Sequence, residues 1–506
     1  MRHLLIIIFS SILLQLNAQQ VYFNKTYSLN YAVTNATGIV QNGDYYYAIG
    51  VGFVNSGIHQ KAVIYKINIM GQLIDTLIYS SLNDRYYTAS PRNININNDY
   101  IFVTFNMVKN DTMQNDTVRS ILMKLDTNLQ IVWERYFNDT LHILNDPYIH
   151  FAINNMSATS DGGQISVVNI NGIGTYHRLA LMKTDSLGDT EWVKYPASDR
   201  SSYAIKQTLD SGFVYVSQGA NGTVLYKLNK LGDTQWSTTI LPLTPPLYQW
   251  AAHDLSITPE GDIVAGLNEI YDNDVYKKKI HLWKVNGTNG QIIWNKEYFF
   301  RYTVDNIYIA QHQAMGLDVL PDGSIIWSGH TLDYGGYGGI MKFNSSGDSL
   351  WSRMIDHAGL DSNNFFWGIW DLAPTSDNGF IICGSQKDYA TGTGVTAWVV
   401  KLDSMGCDTP GCETVSIERA LMNLTQLGVY PNPASETISI TIPNTLTFHT
   451  NRIIIYNTLA SKVKEIEITK NSELVKLNIE DLSPGTYYIQ LLSDGKYKGR
   501  GSFIKN

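Results

Sequence analysis

The sequence predicts an all-β protein built from repeated antiparallel sheets, and three observations predict it. Composition is the first: of 506 residues 44% are hydrophobic and 12% aromatic, 16% are charged, and 40 Gly and 32 Tyr accompany abundant Asn, Thr and Ser. Such a chain can bury a large core, is not disordered throughout, and has the texture of many short strands and turns outside the cell. The second observation is a motif, Lys-x-Asp/Asn-x-x-Gly-x-x-x-Trp, that recurs along the chain. The third is a C-terminal segment whose apolar and polar residues alternate with period two. The formal net charge of −8 speaks against nucleic acid or an anionic membrane surface as the main partner, because both reward a Lys/Arg excess.

Residues 1–18 read as a signal peptide. Arg2 supplies the positive start, Leu4 to Leu14 an apolar stretch, and Leu16-Asn17-Ala18 a small-residue site with cleavage between Ala18 and Gln19. The apolar stretch falls short of the roughly 20 residues that span a bilayer, and no second long apolar segment follows. The mature chain is therefore expected to be exported and to carry no transmembrane segment.

The repeat organises residues 19–412. Its lysines are Lys66, Lys124, Lys183, Lys227, Lys284, Lys342 and Lys401. Their spacings of 58, 59, 44, 57, 58 and 59 residues suit four-stranded blades of a β-propeller, and seven copies imply seven blades. The Asp or Asn two residues after each Lys (Asn68, Asp126, Asp185, Asn229, Asn286, Asn344, Asp403) is placed to bond the backbone ahead of it and start a turn. The Gly that follows (Gly71, Gly188, Gly232, Gly290, Gly347, Gly406) supplies a positive φ to finish it. In the second copy Leu129 stands at the Gly position, and Asn128 is expected to take the left-handed conformation instead. The Trp (Trp133, Trp192, Trp236, Trp294, Trp351) falls on the next strand and is expected to fill the gap between adjacent blades. A second turn signal, such as Asp161-Gly162-Gly163 or Asp377-Asn378-Gly379, precedes each Lys. Each unit thus reads strand, tight turn, strand, longer loop, strand, tight turn, Trp strand.

The end copies are incomplete in complementary ways. After Lys401 the Trp position holds Pro410, whereas Phe23-Asn24-Lys25-Thr26-Tyr27 looks like the Trp strand Trp294-Asn295-Lys296-Glu297-Tyr298 with nothing before it. The N-terminal strand is expected to close the ring by joining the last blade, which removes two exposed edges. This repeat resembles the PQQ-like and related secreted bacterial propellers, in which a Gly-x-x-x-Trp segment closes each blade. The resemblance implies fold and not activity: the cofactor and calcium ligands of quinoprotein enzymes find no counterpart here, and no cofactor or metal is predicted.

With both tight turns on one face, the long connections share the other, and rigid scaffolds commonly place binding on such loops. The candidate ligand face consists of Tyr86, Tyr87, Tyr148, Trp250, Tyr308, His312, His330, Tyr334, Tyr337 and Trp367. Aromatic rings beside Asn and Asp suit sugar rings or a protein surface. The role expected is non-catalytic binding or adhesion. A carbohydrate-active enzyme, hydrolase or lyase, is the alternative, with His253-Asp254, His312, His330 with Asp333, and His357 with Asp361 as acid, base or metal ligands. No nucleophile elbow, His-Glu-x-x-His helix or phosphate loop occurs, so no catalytic residue is assigned.

Cys407 and Cys412 flank Asp408-Thr409-Pro410-Gly411, a turn that brings two sulfurs together in an oxidising compartment, so a small disulfide loop is expected. Residues 413–427 read as a linker. Residues 428–506 carry nine Lys/Arg and seven Asp/Glu, so the overall −8 divides into −11 for residues 19–427, +2 for this tail and +1 from Arg2. Six or seven alternating strands in the tail suit a small Ig-like β-sandwich. Its opening Tyr430-Pro431-Asn432-Pro433, the Leu482-Ser483-Pro484-Gly485-Thr486-Tyr487 turn and the closing Phe503-Ile504-Lys505 resemble the type A C-terminal sorting domain of the type IX secretion system of Bacteroidetes. That resemblance implies recognition by the outer-membrane translocon, followed by release or attachment at the cell surface. Pro431 and Pro433 are expected to fix an extended opening, and Pro484-Gly485 a tight hairpin.

Overall fold

The computed structural model describes residues 21–29, 31, 33–54, 59–80, 84–87, 93–109, 118–137, 150–171, 177–196, 199–219, 222–242, 254–270, 278–298, 302–304, 307–309, 313–330, 338–355, 365–388, 395–409, 425–442, 451–458, 462–468, 474–493 and 496–506. The chain divides into two compact units, Met1–Pro410 and Gly411–Asn506. Among the described residues no helix is long and apolar enough to cross a membrane. The signal segment, with Ala18 and Gln19, lies outside them.

In the first unit the described residues form seven antiparallel sheets of four or five strands, with one further small hairpin, Tyr302–Val304 with Ile307–Ile309. The third sheet is typical: His150–Ala158, Gln164–Asn171, His177–Thr184 and Thr190–Lys194 lie side by side in chain order. Successive sheets pack face to face through apolar clusters that draw on two sheets at a time, such as Ile165, Val167 and Leu181 of the third with Ile205, Phe213 and Leu228 of the fourth.

The turn chemistry is the same at every copy of the motif. Each of the seven Asp or Asn side chains accepts two backbone N–H groups ahead of it: Asp185 Oδ1 takes Leu187 and Asp189, both at 2.9 Å, and Asn344 Oδ1 takes Ser346 at 3.0 Å and Asp348 at 2.8 Å. The residue that finishes the turn has a positive φ, from 72° at Gly71 to 81° at Gly188 and Gly232. In the second copy Leu129 itself adopts φ 60°. The expectation that Asn128 would do so is corrected: Asn128 donates its N–H to Asp126 Oδ1 at 2.8 Å, and the next residue must reverse the chain.

That reversing residue is also the seat of the neighbouring sheet's aromatic ring. A Cβ added to Gly188 would stand 2.6 Å from the Trp133 ring, one on Gly232 3.0 Å from Trp192, and one on Gly290 2.7 Å from Trp236. Gly347 and Gly406 receive Trp294 and Trp351 at 3.0 and 2.7 Å in the same way. The Trp of each sheet thus lies on the bare backbone of the following sheet's last turn, a fit that only the absence of a side chain permits.

The seventh sheet follows the rule with a segment from the other end of its unit. Phe23–Tyr27 pairs antiparallel with Thr396–Leu402, placing Phe23 opposite Lys401 as Trp294 stands opposite Lys284. A Cβ on Gly71 would meet the Phe23 ring at 2.6 Å. The imitation extends to the hydroxyls, since Tyr27 donates to the Gly71 carbonyl at 3.0 Å and Tyr298 donates to that of Gly347. Trp398 Nε1 donates to Asn24 Oδ1 at 2.7 Å, joining residues 374 apart in sequence.

The first sheet breaks the rule, and its break explains Leu129. Opposite Lys66 stands Asp75, where other copies have a ring. The position opposite Lys66 therefore sends no ring onto the second sheet's turn, and a side chain is tolerated there. Leu129 is 4% exposed and joins a core with Tyr47, Ile64 and Ile121.

The second unit has a five-stranded sheet, in the order Thr425–Gln426, Lys496–Lys505, Gly485–Ser493, Asn451–Asn457, Lys462–Ile468. A three-stranded sheet, Gly428–Tyr430, Thr437–Thr441 and Leu474–Asn478, accompanies it. Ile438, Ile440 and Leu477 of the small sheet share one core with Ile453, Ile489 and Phe503 of the large one. Two sequence expectations are corrected here. The chain bends at Pro431 to Pro433 rather than running extended, both X-Pro bonds being cis. Pro484-Gly485 is not a hairpin turn: the turn falls at Ile479 to Leu482, closed by Leu482 N–H donating to the Ile479 carbonyl at 3.0 Å, and it leads from the small sheet to the large.

If ring and glycine are one device, Gly188→Leu should lower stability by about 2–3 kcal/mol through overpacking and strain. Trp133→Ala in the same chain should recover part of that loss. Chemical denaturation of both single variants and the double gives the coupling, and additive losses would refute it.

Candidate functional site

The repeat lysine joins the two tight turns of its own sheet. Lys183 is 3% exposed, and its Nζ donates to the Thr184 carbonyl at 2.9 Å while pairing with Asp161 at 2.8 Å and Glu191 at 3.2 Å. Lys227 repeats this with Asp210 at 2.8 Å and the Leu228 carbonyl at 2.9 Å, and Lys401 with Asp377 and the Leu402 carbonyl, both at 2.8 Å. Lys284 pairs with Asp262 at 3.4 Å. In the first and second sheets the ammonium stands over an aromatic face: Lys66 over Tyr45 at 4.3 Å and Lys124 over Tyr100 at 4.0 Å.

Burial alone would push the carboxyls of Asp161, Asp210 and Asp377 up. The lysine, a threonine hydroxyl and a glycine N–H outweigh it and hold all three below the ordinary carboxylate value. Burial pushes the Lys401 ammonium down, opposed by Asp377. The sequence marked this lysine as a repeat position without giving it a purpose; its partner lies about 20 residues upstream, in the other turn signal.

A second set of ties runs between neighbouring sheets. Asp254 Oδ2 accepts the Leu317 N–H at 2.7 Å, linking the fifth sheet to the sixth, and Asp371 Oδ2 accepts the Ile39 N–H at 3.0 Å, linking the seventh to the first. Ser120 Oγ accepts the Ile153 N–H at 2.7 Å between the second and third. A register shift between Ile369 and Asp371 accompanies the second of these ties. Strands from six of the sheets line a cavity of about 220 Å³ whose wall includes Val40, Asn95, Ser157, Lys206, Asp318 and Asp371. Asp254, expected as a catalytic candidate beside His253, is 2% exposed and serves as one of these inter-sheet ties.

Of the candidate ligand face, the backbone places Tyr86 and Tyr87 on the strand Asp84–Tyr87, Tyr308 on Ile307–Ile309, His330 at the end of Ile325–His330 and Trp367 on Phe365–Pro374. Tyr148, Trp250, His312, Tyr334 and Tyr337 lie outside the described residues, as do His253, Asp333, His357 and Asp361. No group of three or more His, Cys, Asp or Glu able to hold a metal ion occurs among the described residues. Cys407 is buried, and Cys412, its expected partner, lies outside the described residues.

In the tail the three motif segments meet. Asn432 Oδ1 accepts the Ile504 N–H at 2.8 Å and its Nδ2 donates to the Ser502 carbonyl at 3.3 Å, so the opening motif is fastened to the closing strand. Ala434 donates its N–H to the Ile504 carbonyl at 2.8 Å. Tyr487 stacks on Phe503 with ring centroids 5.3 Å apart and donates its hydroxyl to the Ser483 carbonyl at 2.7 Å. Lys505 Nζ reaches the Asn506 carbonyl at 2.8 Å. Tyr430, Tyr488 and Ile504, one from each segment or beside it, remain about half exposed.

An all-β repeat protein with a separate C-terminal sheet unit is the class these features define. Residues 428–506 match the family described as secretion system C-terminal sorting domain. The tail therefore marks the chain as secreted or attached to the cell surface, and the secretion machinery as its partner. No curated protein matches the chain. Among solved structures it is similar to the polysaccharide lyase Uly1 (12% identity, 76% of this chain and 98% of that one, TM-score 0.43) and to a virginiamycin B lyase from Staphylococcus aureus (10% identity, 75% and 99%, TM-score 0.41). A protein of unknown function from Dyadobacter fermentans is similar too (11% identity, 63% and 98%, TM-score 0.40). At these scores the likenesses carry no argument about activity.

The lysine ties have an acid limb. The carboxyls of Asp161, Asp210 and Asp377 lie below the unfolded value of about 4, so the stability they add is complete above that pH and is lost as pH falls through the lower folded values. Thermal melting should hold from pH 8 to about 5 and drop below roughly pH 4. Asp377→Asn, which leaves Lys401 without its carboxylate, should lower stability at pH 7 by on the order of 3 kcal/mol and flatten the acid limb. An unaltered acid limb in the variant would refute the assignment.

Proposed function

We propose that residues 19–412 form a seven-bladed β-propeller whose long-loop face binds a glycan or protein ligand without catalysis. The chain is exported through a signal peptide cleaved after Ala18 and is then handled by the type IX translocon through residues 428–506. The relay of rings carries the fold reading. Each aromatic seats on the next sheet's turn, Phe23 hands the series from the seventh sheet back to the first, and Asp75 with Leu129 replaces it at the one junction that lacks a ring. Supporting it, strands from six of the seven sheets contribute to one inner cavity. A non-catalytic role is favoured because Asp254 and Asp371, acidic groups at the innermost strands, are engaged in holding sheets together. A Cys407–Cys412 bridge at the end of the seventh blade belongs to the same reading, as does an Ig-like form for the tail.

Removing residues 428–506 should leave the protein in the periplasm with its N-terminus at Gln19, read by fractionation and N-terminal sequencing; normal surface delivery of the truncated chain would end the sorting assignment. For the ligand face, Tyr86, Trp250 and Tyr337 changed together to Ala should lower glycan-array or surface-protein binding at least about ten-fold while leaving the melting transition in place. Binding at the unaltered level would remove that face from consideration.

A further inference from the structure

The inter-sheet device has a third component, four residues beyond the position opposite each repeat lysine. At that position stand Tyr27, Tyr79, Phe137, Ile240, Tyr298 and Ile355, which plug the outer seam between one sheet and the next. Tyr27, Ile240 and Ile355 are 7%, 0% and 3% exposed. Tyr298 packs on Phe343 with centroids 4.5 Å apart, and Tyr79 on Phe105 at 5.4 Å. The third sheet alone has Pro196 at this position. Proline carries no ring able to reach across the seam and no N–H to continue the ladder, and the outer strand Thr190–Lys194 stops before it.

A pocket of about 340 Å³ lies at this seam, lined by Tyr195, Pro196, Tyr226, Leu228 and Gly232 with Asp233 at its mouth. That volume falls in the range of small-ligand pockets, roughly 300–1,000 Å³. Counted from the repeat lysine, three of its walls correspond to those of an occupied socket, while Tyr215 stands where that socket has Ala48. Tyr226 and Leu228 flank Lys227 as Tyr65 and Ile67 flank Lys66, and Tyr27 fills that socket with its ring 6.4 Å from Tyr65. Gly232 corresponds to Gly71 and Gly347, whose carbonyls accept the Tyr27 and Tyr298 hydroxyls. Tyr226 is stacked on Tyr215 at 4.9 Å and 9°, giving the pocket a flat and rigid wall. Lys194 and Asp233, paired at 2.8 Å, close the rim as Lys296 and Asp348 do beside Tyr298.

We propose that this pocket binds a phenol ring, that of a tyrosyl group brought by another molecule, with its hydroxyl donating to the Gly232 carbonyl as Tyr27 donates to Gly71. The site recognises in a partner the side chain that this chain uses on itself at other seams. It lies on the outer flank between two sheets, and its function does not depend on the long-loop face.

The test uses the full mature chain with N-acetyl-tyrosinamide as probe and saturation-transfer NMR as readout. Saturable binding is expected, about five-fold weaker for N-acetyl-phenylalaninamide, which lacks the hydroxyl. A glycine-flanked tyrosine pentapeptide should bind at least as well as the free amide if the natural source is a protein segment, and more weakly if it is a small phenol. Pro196→Tyr supplies the missing plug, so it should abolish binding and raise the melting temperature, whereas Pro196→Ala should retain binding. Tyr226→Ala, checked for folding by circular dichroism, should also lose it. Absence of saturable binding, binding undiminished in both Pro196→Tyr and Tyr226→Ala, or equal competition by methyl glucoside would overturn the proposal.

Discussion

A ring lying on a bare peptide is the contact on which the first unit depends. Sheets that pack face to face through β-branched and aromatic side chains are free to slide, because apolar contact is not directional. The turn glycine removes that freedom: with φ near 80° and no Cβ, it forms a seat that one indole or phenyl ring fills and that no other residue could offer without collision. Everything near the seat then has a fixed place. The repeat lysine stands opposite the ring, the lysine's carboxylate comes from the other turn, and the residue two beyond the ring reaches the acid after the glycine, as Lys194 reaches Asp233 and Arg135 reaches Asp189.

The chain reads most clearly where the causes are local. An Asp or Asn that captures two N–H groups within four residues is visible from sequence spacing alone, and so is the glycine that reverses the chain. The N-terminal strand was legible because Phe23-Asn24-Lys25-Thr26-Tyr27 imitates another segment of the same chain. The partner of each lysine was not, since two turn signals about 20 residues apart give no hint that they touch. Leu129 was misread for a related reason: its left-handed backbone is permitted by Asp75, a residue in a different sheet. The vacancy at Pro196 emerges only when the seventh-sheet and fifth-sheet plugs are seen in their sockets. Of the candidate ligand face, sequence supplied the residue types, and the described residues add backbone position for five of the ten.

The second unit uses a different economy. Its small size leaves one shared core, and the three motif segments fasten it: Asn432 grips the last strand, and Tyr487 lies on Phe503. A change at Asn432, Tyr487 or Phe503 therefore loosens the fold of this unit. The half-exposed Tyr430, Tyr488 and Ile504 stand apart from that load, since their side chains leave the core to others.

The strand that completes the seventh sheet comes from the start of the chain and the sorting tail from its end, with the last sheet made between them. A polypeptide cut short by premature termination anywhere before the tail lacks its sorting domain, whether or not its sheets could form. Any chain that carries that domain has also been synthesised through Thr396–Leu402, the strand onto which residues 23–27 must dock. A chain that has reached its sorting domain therefore already holds every strand of the seventh sheet.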